Sequence, residues 1–287
     1  MSTQITTAMV EMYKGNLALL SQQQGSRLRG SVRVEPLTGK NGFFEQIGAT
    51  AAQKKTTRHM DTPQTDTPHA RRRVSMDDYV WADYIDNEDK IRTLIDPTSP
   101  YAQNAVSAFG RSTDDVLIAA LGGTAYTGVA GGTATSLPSG QKIAEGSTGL
   151  TIAKLIKAKG LLWAGDVDES EELFIVVTGK QLEDLLNTTQ VTSSDYNTVQ
   201  ALVKGTVSQF MGFSFIRSER LVTDATPVTM CYAWARSGIL LAVGQDIQTR
   251  IGERADKNYL TQVWVAMSIG ATRMEEVKVI EIGCRET

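Results

Sequence analysis

Few residues in this chain are suited to chemistry, and their spacing does not favour it. Two histidines, His59 and His69, and two cysteines, Cys231 and Cys284, stand among 287 residues. Neither histidine is paired with a cysteine at the short spacing of a zinc site, so no metal and no cofactor are expected. Ser/His/Asp catalysis would have to use His59 or His69. Both fall in a polar stretch, whereas a catalytic base needs a rigid, enclosed frame. The widely separated cysteines make no disulfide framework and read as small buried hydrophobes of a reducing cytoplasm.

Adjacent carboxylates occur at Asp77-Asp78, Glu88-Asp89, Asp114-Asp115 and Glu171-Glu172. Glycoside hydrolysis needs two carboxylates facing each other across a cleft, which sequence adjacency does not supply. Solvated faces and helix N-terminal charges are the plainer reading. Asp114-Asp115 is expected in an interior network if its helix is buried on several sides. The Gly-rich run over 122–149 lacks the Gly-Lys-Ser/Thr ending of a phosphate loop. Gly128, Gly131 and Gly132 do not fit GxGxxG, and the run follows a helix instead of a strand. It reads as a structural or contact loop. An enzyme on an α/β core, with Gly128 to Gly132 closing over a ligand, is the rival reading.

Charge is unevenly distributed. Residues 1–73 hold 11 Lys/Arg against 5 Asp/Glu, residues 74–96 hold 2 against 7, and the net charge is −3. The basic candidates are Arg27, Arg29, Lys54, Lys55, Arg58, Arg71, Arg72 and Arg73; the acidic ones are Asp77 and Asp78. Such blocks suit complementary surfaces on neighbouring copies. No aromatics interleave with the basic residues to stack bases, so any nucleic-acid contact is expected to be non-specific attraction to phosphates. The start MSTQITTAMVEMYKG lacks the pattern of a signal peptide, and no apolar run approaches the roughly 20 residues of a membrane span.

These residues must be placed by mixed α and β elements. Ile5, Met9, Met12, Tyr13, Leu17 and Leu20 mark an apolar helical face over an N-terminal arm that needs a partner. Val32, Val34 and Leu37, then Val74, Met76 and Val80, alternate as in strands. Between them lies a polar segment carrying Pro63 and Pro68, read as a long two-stranded excursion that should rest on a neighbour. A helix is predicted from a Ser99 cap and Pro100 to Gly122-Gly123, with Tyr101, Ala105, Phe109, Val116, Leu117, Ala120 and Leu121 as its apolar set. Residues 124–149 are expected to be irregular. Residues 150–164 read as a helix, 173–177 as a buried strand, 180–186 and 199–210 as helices, and 213–216 as a strand. Strands follow over 228–243 and 259–283, with 263–267 and 277–282 the clearest. No sustained βαβ alternation supports a doubly wound sheet.

The order of these features resembles Hong Kong 97-type phage capsid proteins, and the local sequence resembles a family of phage capsid-like proteins. The residues that carry this are Gln22-Gln23, Gly25-Ser26-Arg27-Leu28-Arg29, Asp61-Thr62-Pro63, Arg72-Arg73, Asp86, Asp89, the turn Asp96 to Tyr101, Arg111, Asp115, Ala119 to Gly122 and Leu137-Pro138. The resemblance implies an α+β capsid fold without an active site. It implies an N-terminal arm (1–35) and an extended β-hairpin loop (36–80). A peripheral domain (81–164) would carry a spine helix at about 98–123. An axial domain (165–240) and returning peripheral strands (241–287) would complete the chain. It further implies a homo-oligomer of pentamers and hexamers in an icosahedral virion shell around double-stranded DNA, assembled in the host bacterial cytoplasm. Portal, separate scaffolding and decoration proteins are the expected partners, with no membrane. An encapsulin-like shell around protein cargo is the alternative on the same fold. Some relatives join a loop lysine to a neighbour's asparagine; Lys54, Lys55 and Asn258 are the residues such a bond would use here, although neither an apolar pocket nor a catalytic carboxylate is evident for it.

Overall fold

A computed structural model describes residues 22–85, 98–186, 209–223 and 227–286. The helical readings over 1–21 and 199–208, and the acidic residues Asp86, Glu88, Asp89 and Asp96, lie outside the described residues.

Strands β1 (Arg33–Pro36), β2 (Asn41–Ile47), β3 (His69–Ser75) and β4 (Asp77–Ile85) come first, then the long helix α1 (Thr98–Gly122). Next come β5 (Ala125–Thr127), β6 (Thr133–Thr135), β7 (Lys142–Ile143), helix α2 (Ile152–Ala164), β8 (Leu173–Val177) and helix α3 (Gly179–Leu186). The described chain ends with β9 (Gln209–Phe210), β10 (Phe213–Arg217), β11 (Val228–Ala235), β12 (Ile239–Arg254), β13 (Leu260–Arg273) and β14 (Val279–Arg285). They form three sheets, ordered β1-β12-β13-β4, β7-β14-β11-β8-β10-β9 and β2-β3-β5-β6. Parallel pairs occur only where the chain crosses over, as in β8/β10 and β1/β12. The fold is therefore mixed α+β and not doubly wound.

The six-stranded sheet is sequestered on both faces, which is why β8 (LFIVV) and β11 (VTMCYAWA) read as continuous apolar runs. Cys231 and Cys284 are buried and free here, on paired strands and diagonal to one another. A hydrogen bond with Cys284, and burial, push the Cys231 thiol well up. Helix α2 covers this sheet. Thr151 caps its first turn and Gly165 closes its last.

Helix α1 lies on the inner face of the β12/β13/β4 sheet. Ala105, Phe109, Leu117, Ile118 and Leu121 are buried, and so are the polar Thr113 and Asp114. Ser99 is already inside the helix, and Tyr101 is exposed instead of lining the core. Val34 and Val80 are also exposed, so the alternation in the first strands predicts extended backbone but not which side is buried. Two further differences are local. Phe210 is in a strand, and Val277-Lys278 form a 3-10 turn before β14.

The Gly-rich run departs most from expectation. It folds into the β5–β6 hairpin, which adds to β3 through Arg72↔Thr127 and Arg73↔Tyr126. Gly128 (φ +93) and Gly131 (φ +63) make its turn, closed by Gly131 N–H to Gly128 O at 2.9 Å. A Cβ on Gly131 would lie 2.7 Å from the Arg73 side chain. The turn is wedged against Arg73 and Phe43 of the neighbouring hairpin.

Candidate assembly surface

The arm meets the body at Asp114. Its carboxylate is fully buried and accepts from Ser26 Oγ and Gln23 Nε2, both at 2.5 Å, and from the backbone N–H groups of Arg27 and Leu28 at 3.1 Å. Arg111 donates to Gln22 Oε1 (2.8 Å) and Gln23 O (3.1 Å). Gly25 takes a left-handed φ of +73, and a Cβ on Gly110 would sit 2.3 Å from the Gly25 carbonyl carbon. The segment from Gln22 to Arg29 is thus fitted to a groove in α1 that only a glycine leaves open. The interior network expected at Asp114-Asp115 exists at Asp114, whereas Asp115 pairs with Arg220 nearer the surface.

Arg27 and Arg29 are used within the subunit. Arg27 donates to Arg217 O (2.7 Å), and Arg29 forms a two-pronged pair with Asp246 (2.9 and 2.7 Å). That pair holds the Asp246 carboxyl below its usual range.

The second feature is the β2–β3 hairpin. Its root is a buried ionic node. Arg72 donates to Glu276 at 2.5 Å, and Arg273 Nε lies 3.7 Å from the same carboxylate. Arg273, wholly buried, also donates to Leu121 O, Gly123 O and Thr135 O at 2.9–3.1 Å. One guanidinium therefore joins the end of α1, strand β6 and the base of the hairpin. Arg72 is turned inward, so it roots the hairpin and is unavailable to a neighbour; sequence alone gave no sign of its burial.

Beyond the root the hairpin leaves the body. Residues 48–59 and 61–68 are all exposed and form no helix or strand. Lys54, Lys55, Arg58 and His59 are on this tip, and His69 begins β3. Arg71 pairs with Glu45 and lies over the Phe43 ring, and Arg73 lies over Tyr126 at 4.7 Å. On the same face Phe43 is 43% exposed and Ile47 70%. Asp77 and Asp78 are exposed at the start of β4, with Asp78 accepting from Ser268 Oγ. Further along β4, Val80 is 63% and Tyr84 45% exposed. Asn258, left-handed at φ 55, lies in the β12–β13 connection.

None of this assembles a reaction centre. Among the described residues no group of three or more His, Cys, Asp or Glu could hold a metal ion. No helix among them is long and apolar enough to cross a membrane. A compact α+β body with a rooted arm and a projecting basic hairpin has the form of a subunit built to meet others.

Comparison with known proteins agrees. The sequence pattern of the family described as Phage capsid protein matches residues 5–286. Solved structures give the same fold at low identity. The capsid of cyanophage P-SCSP1u is 16% identical, with a TM-score of 0.73 over 94% of this chain and 91% of its own. The capsid of cyanophage Pam1 is 15% identical, with a TM-score of 0.70 over 94% and 95%. That of Ralstonia phage GP4 is 11% identical, with a TM-score of 0.71 over 95% and 94%. No protein of curated function matches at a significant level. The chain belongs to the phage capsid protein family. It is a structural protein of the virion shell, where it assembles with copies of itself, and not an enzyme. The encapsulin-like alternative gains no support from these matches.

Proposed function

We propose that this chain is the major subunit of a closed icosahedral head, arranged as pentamers and hexamers around double-stranded DNA. The observation that carries this reading is the β2–β3 hairpin, whose tip over 48–68 is exposed almost throughout and touches no core of its own. A lone two-stranded excursion is marginal in water, and its many small contacts gain strength when repeated around a shell.

In this reading residues 1–35 are an arm and 36–80 an extended loop, both clasping neighbours. Residues 81–164, with α1 as the spine helix, and the returning strands of 241–287 are the peripheral domain, and residues 165–240 are the axial domain at five-fold and six-fold centres. Lys54, Lys55, Arg58, Arg71, Arg73, Asp77 and Asp78 are its contact residues. Arg27 and Arg29 reach a neighbour only through the edges of their intrachain pairs. DNA is held by general, sequence-independent attraction to its phosphates. Assembly takes place in the host bacterial cytoplasm with a portal, a separate scaffolding protein and, on some particles, a decoration protein.

Electron microscopy of the purified chain tests the reading. Closed particles that protect DNA are expected, and removal of residues 1–21, which spares the Gln22–Arg29 segment seated on Asp114, should leave a folded subunit that makes none. A chain that stays monomeric at every concentration and salt would overturn it.

A further inference from the structure

Open strand edges are a liability unless something pairs with them. The edges of the six-stranded sheet are blunted, because β7 and β9 have two residues each. Two long edges are left without a partner strand among the described residues: β2, with seven residues, and β4, with nine. The distal half of β12, beyond its short pairing with β1, is a third.

The hydrogen-bond phase of β2 can be read off. Gly48 N–H donates to Pro68 O (2.8 Å) and Met76 N–H to Lys40 O (3.0 Å). Both pairs keep the register in which Asn41 faces Ser75 and Ile47 faces His69. Bonded pairs alternate along an antiparallel ladder. Gly42, Phe44 and Gln46 therefore bond inward to β3. Asn41, Phe43, Glu45 and Ile47 turn their N–H and C=O groups outward. Two of these four also carry the exposed apolar side chains, Phe43 and Ile47.

We infer that the outer edge of β2 adds as a strand to the outer edge of β4 on a second copy, making one sheet across the subunit boundary. This deepens the shell reading, on which it rests, by naming the surfaces that meet. Charge selects the partner. The hairpin is basic beside β2, with Arg71 and Arg73 on β3 and Lys54, Lys55 and Arg58 beyond it. Strand β4 carries Asp77, Asp78 and Asp83, with the exposed Val80 and Tyr84 between or beside them. The free part of β12 balances Arg250 and Arg254 against Asp246 and Glu253, so it offers the basic hairpin no net acidic edge, whereas β4 has three aspartates and no basic residue. Pairing two β2 edges would set two basic rows side by side. Main-chain bonds then supply the adhesion, and alternate side chains supply the fit.

Proline separates strand addition from a side-chain contact. Glu45→Pro removes an outward N–H and spares the inward ladder, as proline on an edge strand can. It should leave the circular-dichroism spectrum of the subunit unchanged and abolish closed shells. Glu45→Ala, which loses the same pairing to Arg71, should still form them. Shells from Glu45→Pro at the yield of the unmodified chain would overturn the inference. The partner is read by placing p-benzoylphenylalanine at position 43 and irradiating a mixture of isotope-labelled and unlabelled copies. Cross-links from one copy to residues 77–85 of another are expected. Cross-links to 245–254, to residues 1–21, to another β2 or to another protein would overturn β4 as the partner. The same irradiation of concentrated unassembled protein tests the pairing even if the shell reading fails.

Discussion

Ser26 Oγ donates to the Asp114 carboxylate across 2.5 Å, although the two residues are 88 positions apart. With the N–H groups of Arg27 and Leu28 on the same carboxylate, this fixes the direction in which the arm leaves α1. Asp114→Ala would strand these donors in the interior and should destabilise the subunit by about 3 kcal/mol, whereas Asp114→Asn, which keeps one acceptor, should cost about 1 kcal/mol. Urea unfolding of unassembled subunits measures both. The amide protons of Arg27 and Leu28 should exchange faster in Asp114→Ala than the rest of the core.

The Arg29–Asp246 pair gives a pH dependence of known sign. Asp246 has a folded pKa below its ordinary value, chiefly through the hydrogen bond from Arg29. A depressed carboxyl adds stability above its unfolded pKa of about 3.9 and loses it as pH falls through the folded value. The effect is small, because both side chains are well exposed to solvent. Asp246→Asn should therefore be less stable than the parent chain at about pH 6 and indistinguishable from it at about pH 2. Chemical unfolding at the two pH values checks this, and added salt should narrow the difference.

The exposed hairpin tip makes protease access a reporter of assembly. Trypsin should cut free subunits first after Lys54, Lys55 and Arg58, which lie in the exposed stretch without helix or strand. Arg72, buried at the root, should resist. In shells the tip should be protected, and mass spectrometry of the first fragments distinguishes the two states.

What the sequence makes legible follows from how local the causes are. Helix α1, helix α2 and strands β8, β11 and β13 are readable because apolar spacing, and for α1 the Gly122-Gly123 end, act within a few residues; the Thr151 cap of α2 is seen only in the structure. The β5–β6 hairpin was missed because its three-residue strands have no periodicity; it exists because β3 offers it an edge. At the site, the charge blocks showed where contacts gather, and burial could not be read at all. Arg72 and Arg73 are neighbours in sequence, yet strand alternation sends one to Glu276 and the other over Tyr126. Asp114 was legible as a candidate for an interior network, but its partners at Gln23 to Leu28 appear only when the arm folds back.

The ionic node at the hairpin root offers the sharpest separation of anchoring from contact. Glu276 is the carboxylate between two buried guanidiniums, those of Arg72 and Arg273. Burial disfavours the Arg273 charge and lowers its pKa. Arg273 retains three carbonyl acceptors at Leu121, Gly123 and Thr135, so its hydrogen bonds survive loss of Glu276 while its charge does not stay balanced. Glu276→Gln should then destabilise the subunit by about 3 kcal/mol, the cost of leaving a buried charge without its partner. Adding Arg72→Met removes one of the two stranded cations, so the double variant should be more stable than Glu276→Gln alone. A hairpin held only by its strand ladder would show no such rescue. Hydrogen exchange at the β3/β5 ladder, around Arg72 and Tyr126, should follow the same order, fastest in Glu276→Gln and partly restored in the double variant.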